Sequence, residues 1–366
     1  MKILFVVKTY HDADEYIINN KNLLHGKNYH EIINFICSFF SNWVSEFYLF
    51  LHKENKINAE IIFPSLNHSL DEILGNENKK NYEEYFNHLI YNYNPDVVIF
   101  SGEYENLAKI LKTNNNSMLI WKSSKISFKE IKKFKKNYDK IISDNPLILN
   151  LAKKAEINNA YLQPSIPDRI ISEFDFEKRR DDILFSGSLG FDFKERKKVV
   201  EFLLRNNIEL EVRSRDIKET SKLKEFFFKK FSRLDFVFSR RNIIKKHTKK
   251  PYYHLELFKY MKKFKYILNC HSDFDINNTI NYRVFESLAS GCLLFTDSNN
   301  SLGEHFIDKR HLVVYKDKND LIDKIHYYKK NMNESYEIAK NGYELVKKKH
   351  TSKHRIKDFN KIINCF

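Results

Sequence analysis

Glycine and proline are scarce in this chain, at 8 and 6 of 366 residues, and cysteine is rarer still at four. Cys37, Cys270, Cys292 and Cys365 form no CxxC pair and no metal-ligand spacing, which excludes a cysteine-built metal centre. Cys270 and Cys292 lie within apolar runs, so buried reduced thiols are expected there. Long apolar runs are also missing. The most apolar longer segment, residues 35–51, is interrupted by Asn42, Ser45 and Glu46 and cannot serve as a membrane span. The opening Met1-Lys-Ile-Leu-Phe-Val-Val7 is too short for a signal peptide and runs into polar sequence, so a cytoplasmic protein is expected. No internal repeat and no low-complexity tract occurs.

What is present points to a folded, basic protein. Hydrophobic residues at 42% and aromatics at 15% exclude a disordered chain, and the length suits two ordinary domains. The formal charge of +15 fits acidic partners: nucleotide phosphates, anionic lipid or polysaccharide, or nucleic acid. Abundant Lys, Asn, Ile, Tyr and Phe beside scarce Gly, Ala and Pro also match the bias of an AT-rich genome, which needs no partner at all.

Short apolar runs alternate with longer amphipathic stretches, the pattern of βα units and a mainly parallel sheet. The first half predicts strands over 2–7, 59–63, 96–100, 118–121 and 140–142, with helices over 29–52 and 81–92. The second half predicts strands from Ile183 and over 209–213, 234–238, 266–270, 292–296 and 311–315. Helices are expected over 193–205, 253–263, 282–290, 318–331 and 335–349. The fold class is therefore α/β, with two Rossmann-like domains facing a cleft and mainly parallel sheets. An acceptor domain is expected over 1–165, a linker over 166–180 around Gln163-Pro-Ser-Ile-Pro167, and a donor domain over 181–350. A terminal segment over 351–366 is expected to cross back to the first domain.

The densest local signal is Asn281-Tyr-Arg-Val-Phe-Glu-Ser-Leu-Ala-Ser-Gly-Cys292, a short helix that stops at Gly291 and turns into a buried strand. Arg283 and Glu286 share one helix face by their spacing. Asn281 or Thr279 suits the N-cap, and Gly291 suits a left-handed end. A helix start beside basic groups is a ready place for phosphate.

Taken with three other segments, this stretch resembles the GT-B glycosyltransferases, nearest the group 1 transferases and their spore-maturation-type relatives. Phe185-Ser-Gly-Ser-Leu-Gly190 with Arg196 is similar to the opening strand, phosphate-side loop and basic helix of that family. Glu209-Leu-Glu-Val-Arg-Ser-Arg215 is similar to its second strand, and Lys265-Tyr-Ile-Leu-Asn-Cys-His271 to the strand before the donor site. Gly342-Tyr-Glu-Leu-Val continues the likeness, which spans roughly residues 181–350. One departure stands out: the family's carboxylate pair would place an acid where this chain has Asn278. The Arg283-x-x-Glu286 variant occurs among the spore-maturation-type relatives.

The resemblance implies transfer of a sugar from a nucleotide-sugar donor to a hydroxyl acceptor, in bacterial surface glycan or glycoconjugate synthesis. The acceptor would be a glycan, a lipid-linked molecule or a protein. The nucleotide-sugar is a substrate, so no separate cofactor is expected. Glu286 would accept hydrogen bonds from vicinal ribose hydroxyls; Arg283 or Asn281 would hold phosphate or sugar. Gly187, Ser188, Arg196, Arg213 and Tyr282 complete the donor-binding set. The structural alternative for Arg283 and Glu286 is an ordinary helix-surface ion pair. An inverting enzyme needs a general base near the acceptor hydroxyl, for which Glu103, His11 and Asp12 are the candidates. His11 also suits a plain loop residue, and Asp12 or Asp14 a helix cap. Asp12-Ala-Asp14 and Asp273-Phe-Asp275 spell DxD, yet metal-independent chemistry is expected.

Residues 224–250 interleave aromatics with cations, a surface suited to anionic membrane or nucleic acid, or to phenylalanines packed inward beneath outward lysines. No nucleic-acid recognition motif accompanies it, so a nucleic-acid-binding protein is the less favoured alternative. A GT-B-shaped polyol-phosphate transferase is another, since fold alone does not set the reaction.

Overall fold

Apolar runs only four to seven residues long, bounded by polar sequence, become strands buried on both faces, which is what a parallel sheet between two helical layers requires. The computed structural model describes all of the chain except residues 10–15, 25, 41–42, 54–57, 67–75, 124–125, 191–192, 215–242, 272–278 and 365–366, and the side chains of residues 43, 53 and 76–82. Two compact units result: Met1–Asp168 with His350–Phe366, and Arg169–Lys349.

The first unit holds β1 (Lys2–Val6), β2 (Asn58–Ile62), β3 (Val97–Phe100), β4 (Ser117–Trp121), β5 (Lys140–Ser143) and β6 (Asn158–Tyr161). They lie in the order β2-β1-β3-β4-β5-β6, with every described pairing parallel. The helix Ser352–Ile363 belongs to this unit. Phe359 packs with Phe5 and Phe47 at ring-centroid distances of 6.1 and 4.9 Å, and Lys140 Nζ donates to the Ile362 carbonyl at 3.1 Å.

One helix was expected over 29–52, and there are two, Tyr29–Phe39 and Trp43–Lys53. A capping box between Asn28 and Glu31 starts the first. It ends because Phe40 turns to extended geometry (φ −71°, ψ 135°), and its buried ring stacks on Phe63 at 5.6 Å. Packing of one aromatic overrides a continuous apolar periodicity.

The second unit holds β7 (Arg180–Ser186), β8 (Leu210–Arg213), β9 (Thr248–Lys249), β10 (Phe264–Asn269), β11 (Leu293–Asp297) and β12 (Val313–Tyr315). Their order is β12-β11-β10-β7-β8-β9, again parallel throughout the described pairings. The strand expected over 234–238 lies outside the described residues. The helix Tyr282–Ala289 leads into β11 through Gly291, whose φ of +72° is the left-handed end that its sequence position called for. Cys37, Cys270 and Cys292 are buried. Burial, opposed by the nearby Arg179, pushes the Cys292 thiol up to about 11. Among the described residues no helix is long and apolar enough to cross a membrane.

Candidate functional site

In the second sheet the chain builds outward from β7 to β9, then returns to β10 and builds the other way to β12. The reversal falls between β7 and β10. Connections leave such a switch point in opposite directions, and open α/β sheets bind ligands beyond the carboxyl ends of the strands there. Ser186, Gly187 and Ser188 stand at the end of β7; Asn269, Cys270 and His271 stand at the end of β10.

The helix Tyr282–Ala289 docks onto the same place. Arg283 Nε donates to the Ser186 carbonyl at 3.1 Å, and Nη1 donates to Glu286 Oε2 at 2.6 Å. Nη2 makes no hydrogen bond among the described residues. Glu286 is buried, at 6% exposure, so the pair is not the solvated surface bridge its spacing also permitted. Burial pushes the Glu286 carboxyl upward, opposed by the Arg283 guanidinium.

Asn281 occupies the N-cap position, but its side chain does not cap the helix as expected. Nδ2 donates instead to Asn269 Oδ1 at 2.9 Å and to the Cys270 carbonyl at 3.3 Å. Asn269 in turn donates to Thr296 Oγ1 at 2.9 Å. Tyr282, the first helical residue, is half-buried beside it.

Two expected phosphate ligands, Arg196 and Arg213, make several contacts with protein groups. Arg196 is buried, with Nη1 donating to the Ser188 carbonyl (3.1 Å) and Nη2 to the Cys270 carbonyl (2.8 Å), so it braces the two rims of the switch point. Its guanidinium also lies 4.5 Å from the Phe193 ring. Arg213 donates from Nε to Glu211 (2.7 Å), from Nη1 to the Lys250 carbonyl (2.7 Å) and from Nη2 to Tyr260 (2.8 Å). It lies between the Tyr252 and Tyr260 rings at 4.5 and 4.3 Å. The reason is local: Glu211, two residues before Arg213 on β8, is a buried carboxylate that needs cations. Gly187 donates its amide to the Arg213 carbonyl, and a Cβ there would lie 3.3 Å from Phe185 Cζ and 3.6 Å from Arg196 Nη1.

Sequence reasoning assigned no task to His271 or Asp297, which end adjacent strands. The Asp297 carboxylate accepts from the His271 backbone amide at 2.9 and 3.0 Å, and Oδ1 lies 2.6 Å from His271 Nδ1. The available signal was two buried strands finishing on polar side chains.

The first sheet reverses between β1 and β3. Glu103 follows β3 at this point, exposed, with its Oε1 accepting from Lys122 Nζ at 2.5 Å. A Cβ on Gly102 would lie 2.5 Å from Lys8 Cβ, so only glycine lets the end of β3 pass the end of β1. His11, Asp12 and Asp14 lie outside the described residues, as do Asp273 and Asp275. Among the described residues no group of three or more His, Cys, Asp or Glu is placed to hold a metal ion.

Residues 215–361 match a protein-family model described as glycosyl transferase-like. No curated protein matches the chain. Among solved structures, an alpha-glucosyltransferase bound to UDP-glucose and to DNA containing an abasic site superposes with a TM-score of 0.63 at 11% identity, over 100% of this chain and 99% of that one. HepE of Anabaena in complex with UDP-glucose gives 0.62 at 8% identity over 100% of both chains. Sucrose-phosphate synthase of Thermosynechococcus elongatus gives 0.58 at 10% identity over 98% of both. By its two six-stranded parallel sheets and these neighbours, the chain has the GT-B fold, and its residues 215–361 carry the glycosyl transferase-like signature.

Proposed function

We propose that this protein is a glycosyltransferase whose nucleotide-sugar donor binds in the second unit, beyond the carboxyl ends of β7 and β10. The observation that carries this reading is the buried Arg283–Glu286 pair, fixed to the end of β7 at the topological switch point. Two structural neighbours hold UDP-glucose in a protein of the same fold, which supports a uridine donor as the first to try.

Glu286 accepts hydrogen bonds from vicinal ribose hydroxyls, a charge-assisted contact worth about 1.5–3 kcal/mol. Arg283 turns its Nη2 to the diphosphate, and the start of the Tyr282–Ala289 helix, without a side-chain cap, favours the same negative charge. As the bond between sugar and diphosphate breaks, these positive groups stabilise the departing oxygen, chemistry that proceeds without a metal ion. Arg196 acts at one remove, holding the two rims together. On the first unit Glu103 is the general base of the acceptor hydroxyl, its carboxylate positioned by Lys122. The Arg283-x-x-Glu286 arrangement supports kinship with the spore-maturation-type transferases, and with it a task in bacterial surface glycan or glycoconjugate synthesis, at an anionic membrane face that suits the basic charge.

Calorimetric titration of the wild type with UDP-, GDP- and CMP-linked sugars tests the reading. One nucleotide class is expected to bind, and Glu286→Gln to weaken it. Absence of binding by all three classes would contradict the assignment.

A further inference from the structure

Two buried polar atoms at the switch point lack partners among the described residues: His271 Nε2 and Asn281 Oδ1. They are neighbours through one peptide group. Asn281 Nδ2 bonds the Cys270 carbonyl, which belongs to the peptide entering His271. That bond also fixes the amide, because a carbonyl only accepts, so Nδ2 is the donor and Oδ1 is the atom left over. The His271 side chain is 1% exposed, and Asp297 holds its Nδ1 at 2.6 Å. A carboxylate at Nδ1 engages that nitrogen and leaves Nε2 as the ring atom without a partner. Buried polar atoms without partners are rare in folded proteins and call for an explanation.

Asn281 Oδ1 is therefore an acceptor, which a phosphate with only acceptor oxygens does not satisfy, whereas a hydroxyl, both donor and acceptor, can meet each of the two orphans. We infer that His271 and Asn281 form a hydroxyl-reading pair for the transferred sugar, with Asp297 as the positioning residue that holds the imidazole in place. This inference rests on the donor-site reading above and extends it to the part of the donor that Glu286 does not hold. The pair selects sugars by the hydroxyls they present, since a buried acceptor left unmet penalises a sugar lacking that group.

Two substitutions at His271 isolate the Nε2 atom. His271→Asn keeps an N–H close to the Nδ1 position for Asp297 and deletes Nε2; His271→Gln keeps an acceptor near Nε2. Each is titrated with UDP and with UDP-glucose, or with GDP and GDP-mannose should the guanine pair be the one that binds, and thermal melts accompany both. The expected result for His271→Asn is a nucleoside diphosphate affinity within about twofold of wild type and a nucleotide-sugar affinity about tenfold weaker. His271→Gln is expected to recover most of that loss, and Asn281→Ala to weaken the nucleotide-sugar selectively. Equal losses for the diphosphate and its sugar conjugate would overturn the inference, as would unchanged binding of both, which would leave the orphans to an ordered water. Failure of the wild type to bind any nucleotide would instead remove the donor-site reading on which the pair depends.

Discussion

Arg283 lies 2.6 Å from Glu286 on one helix and reaches, through its Nε, the carbonyl of Ser186 at the end of a strand 97 residues earlier. That single side chain couples the helix start to the strand end and leaves Glu286 buried but charge-matched. A buried carboxylate beside a guanidinium is costly to place and costly to break. Here it stands where an open parallel sheet receives ligands.

Replacing Glu286 by Gln keeps the shape and an acceptor for Arg283 while removing the charge. Nucleotide affinity is expected to fall about 10- to 100-fold, the worth of a charge-assisted hydrogen bond, while the melting temperature shifts by only a few degrees. Paired calorimetry and thermal melts measure both. A purely structural pair would show the reverse pattern.

Glu103 is expected to act on turnover and not on the donor. Glu103→Gln should lower kcat by about 100-fold or more, in the range for loss of a general base, with nucleotide binding unchanged. Steady-state kinetics with a competent acceptor, alongside direct binding, separate the two quantities. An exposed ion pair with Lys122 and nothing more would leave kcat untouched, since such pairs contribute about 0–1 kcal/mol.

Gly342 lies in the helix Met332–Lys349 against the loop at His311. A Cβ there would come 2.4 Å from the His311 carbonyl oxygen and 2.8 Å from Leu288 Cδ2, and the first of these is backbone that cannot rotate away. Gly342→Ala is expected to destabilise the protein by about 1–3 kcal/mol through overpacking, despite alanine's better helix propensity. Urea unfolding gives the value. A stabilised variant would mean that the helix shifts freely.

Glu211 makes stability depend on acid. Burial pushes its carboxyl up, yet hydrogen bonds from Tyr260, Lys249 and Arg213 together outweigh that and hold it at about 2, below the ordinary 4.5. A depressed carboxyl contributes its full stabilisation above about 4.5 and loses it as pH falls through about 2. The stability difference between wild type and Glu211→Gln should accordingly shrink across that window, as followed by denaturant unfolding at several pH values. A difference constant with pH would show that the network does not favour the charged form.

The strands were the most legible feature of the sequence. β1, β3, β10 and β11 are apolar runs buried on both faces, and parallel sheets leave that mark. β6 left none, because Asn158–Tyr161 is a largely exposed edge strand whose pairing with β5 is a tertiary fact. The Arg283–Glu286 contact was readable from helical spacing alone. The engagement of Arg213 was not, since it depends on Tyr260, 47 residues away, and on a carboxylate two positions back on its own strand. His271 and Asp297 were equally hidden: their pairing follows from β10 and β11 lying side by side.

Hydrogen–deuterium exchange with and without a saturating nucleotide-sugar is the most direct test of the donor site. Slowed exchange is predicted in residues 186–190, 269–271 and 281–286, the three segments that meet at the switch point of the second sheet. Protection confined to the first unit, or no protection anywhere with bound nucleotide, would contradict it.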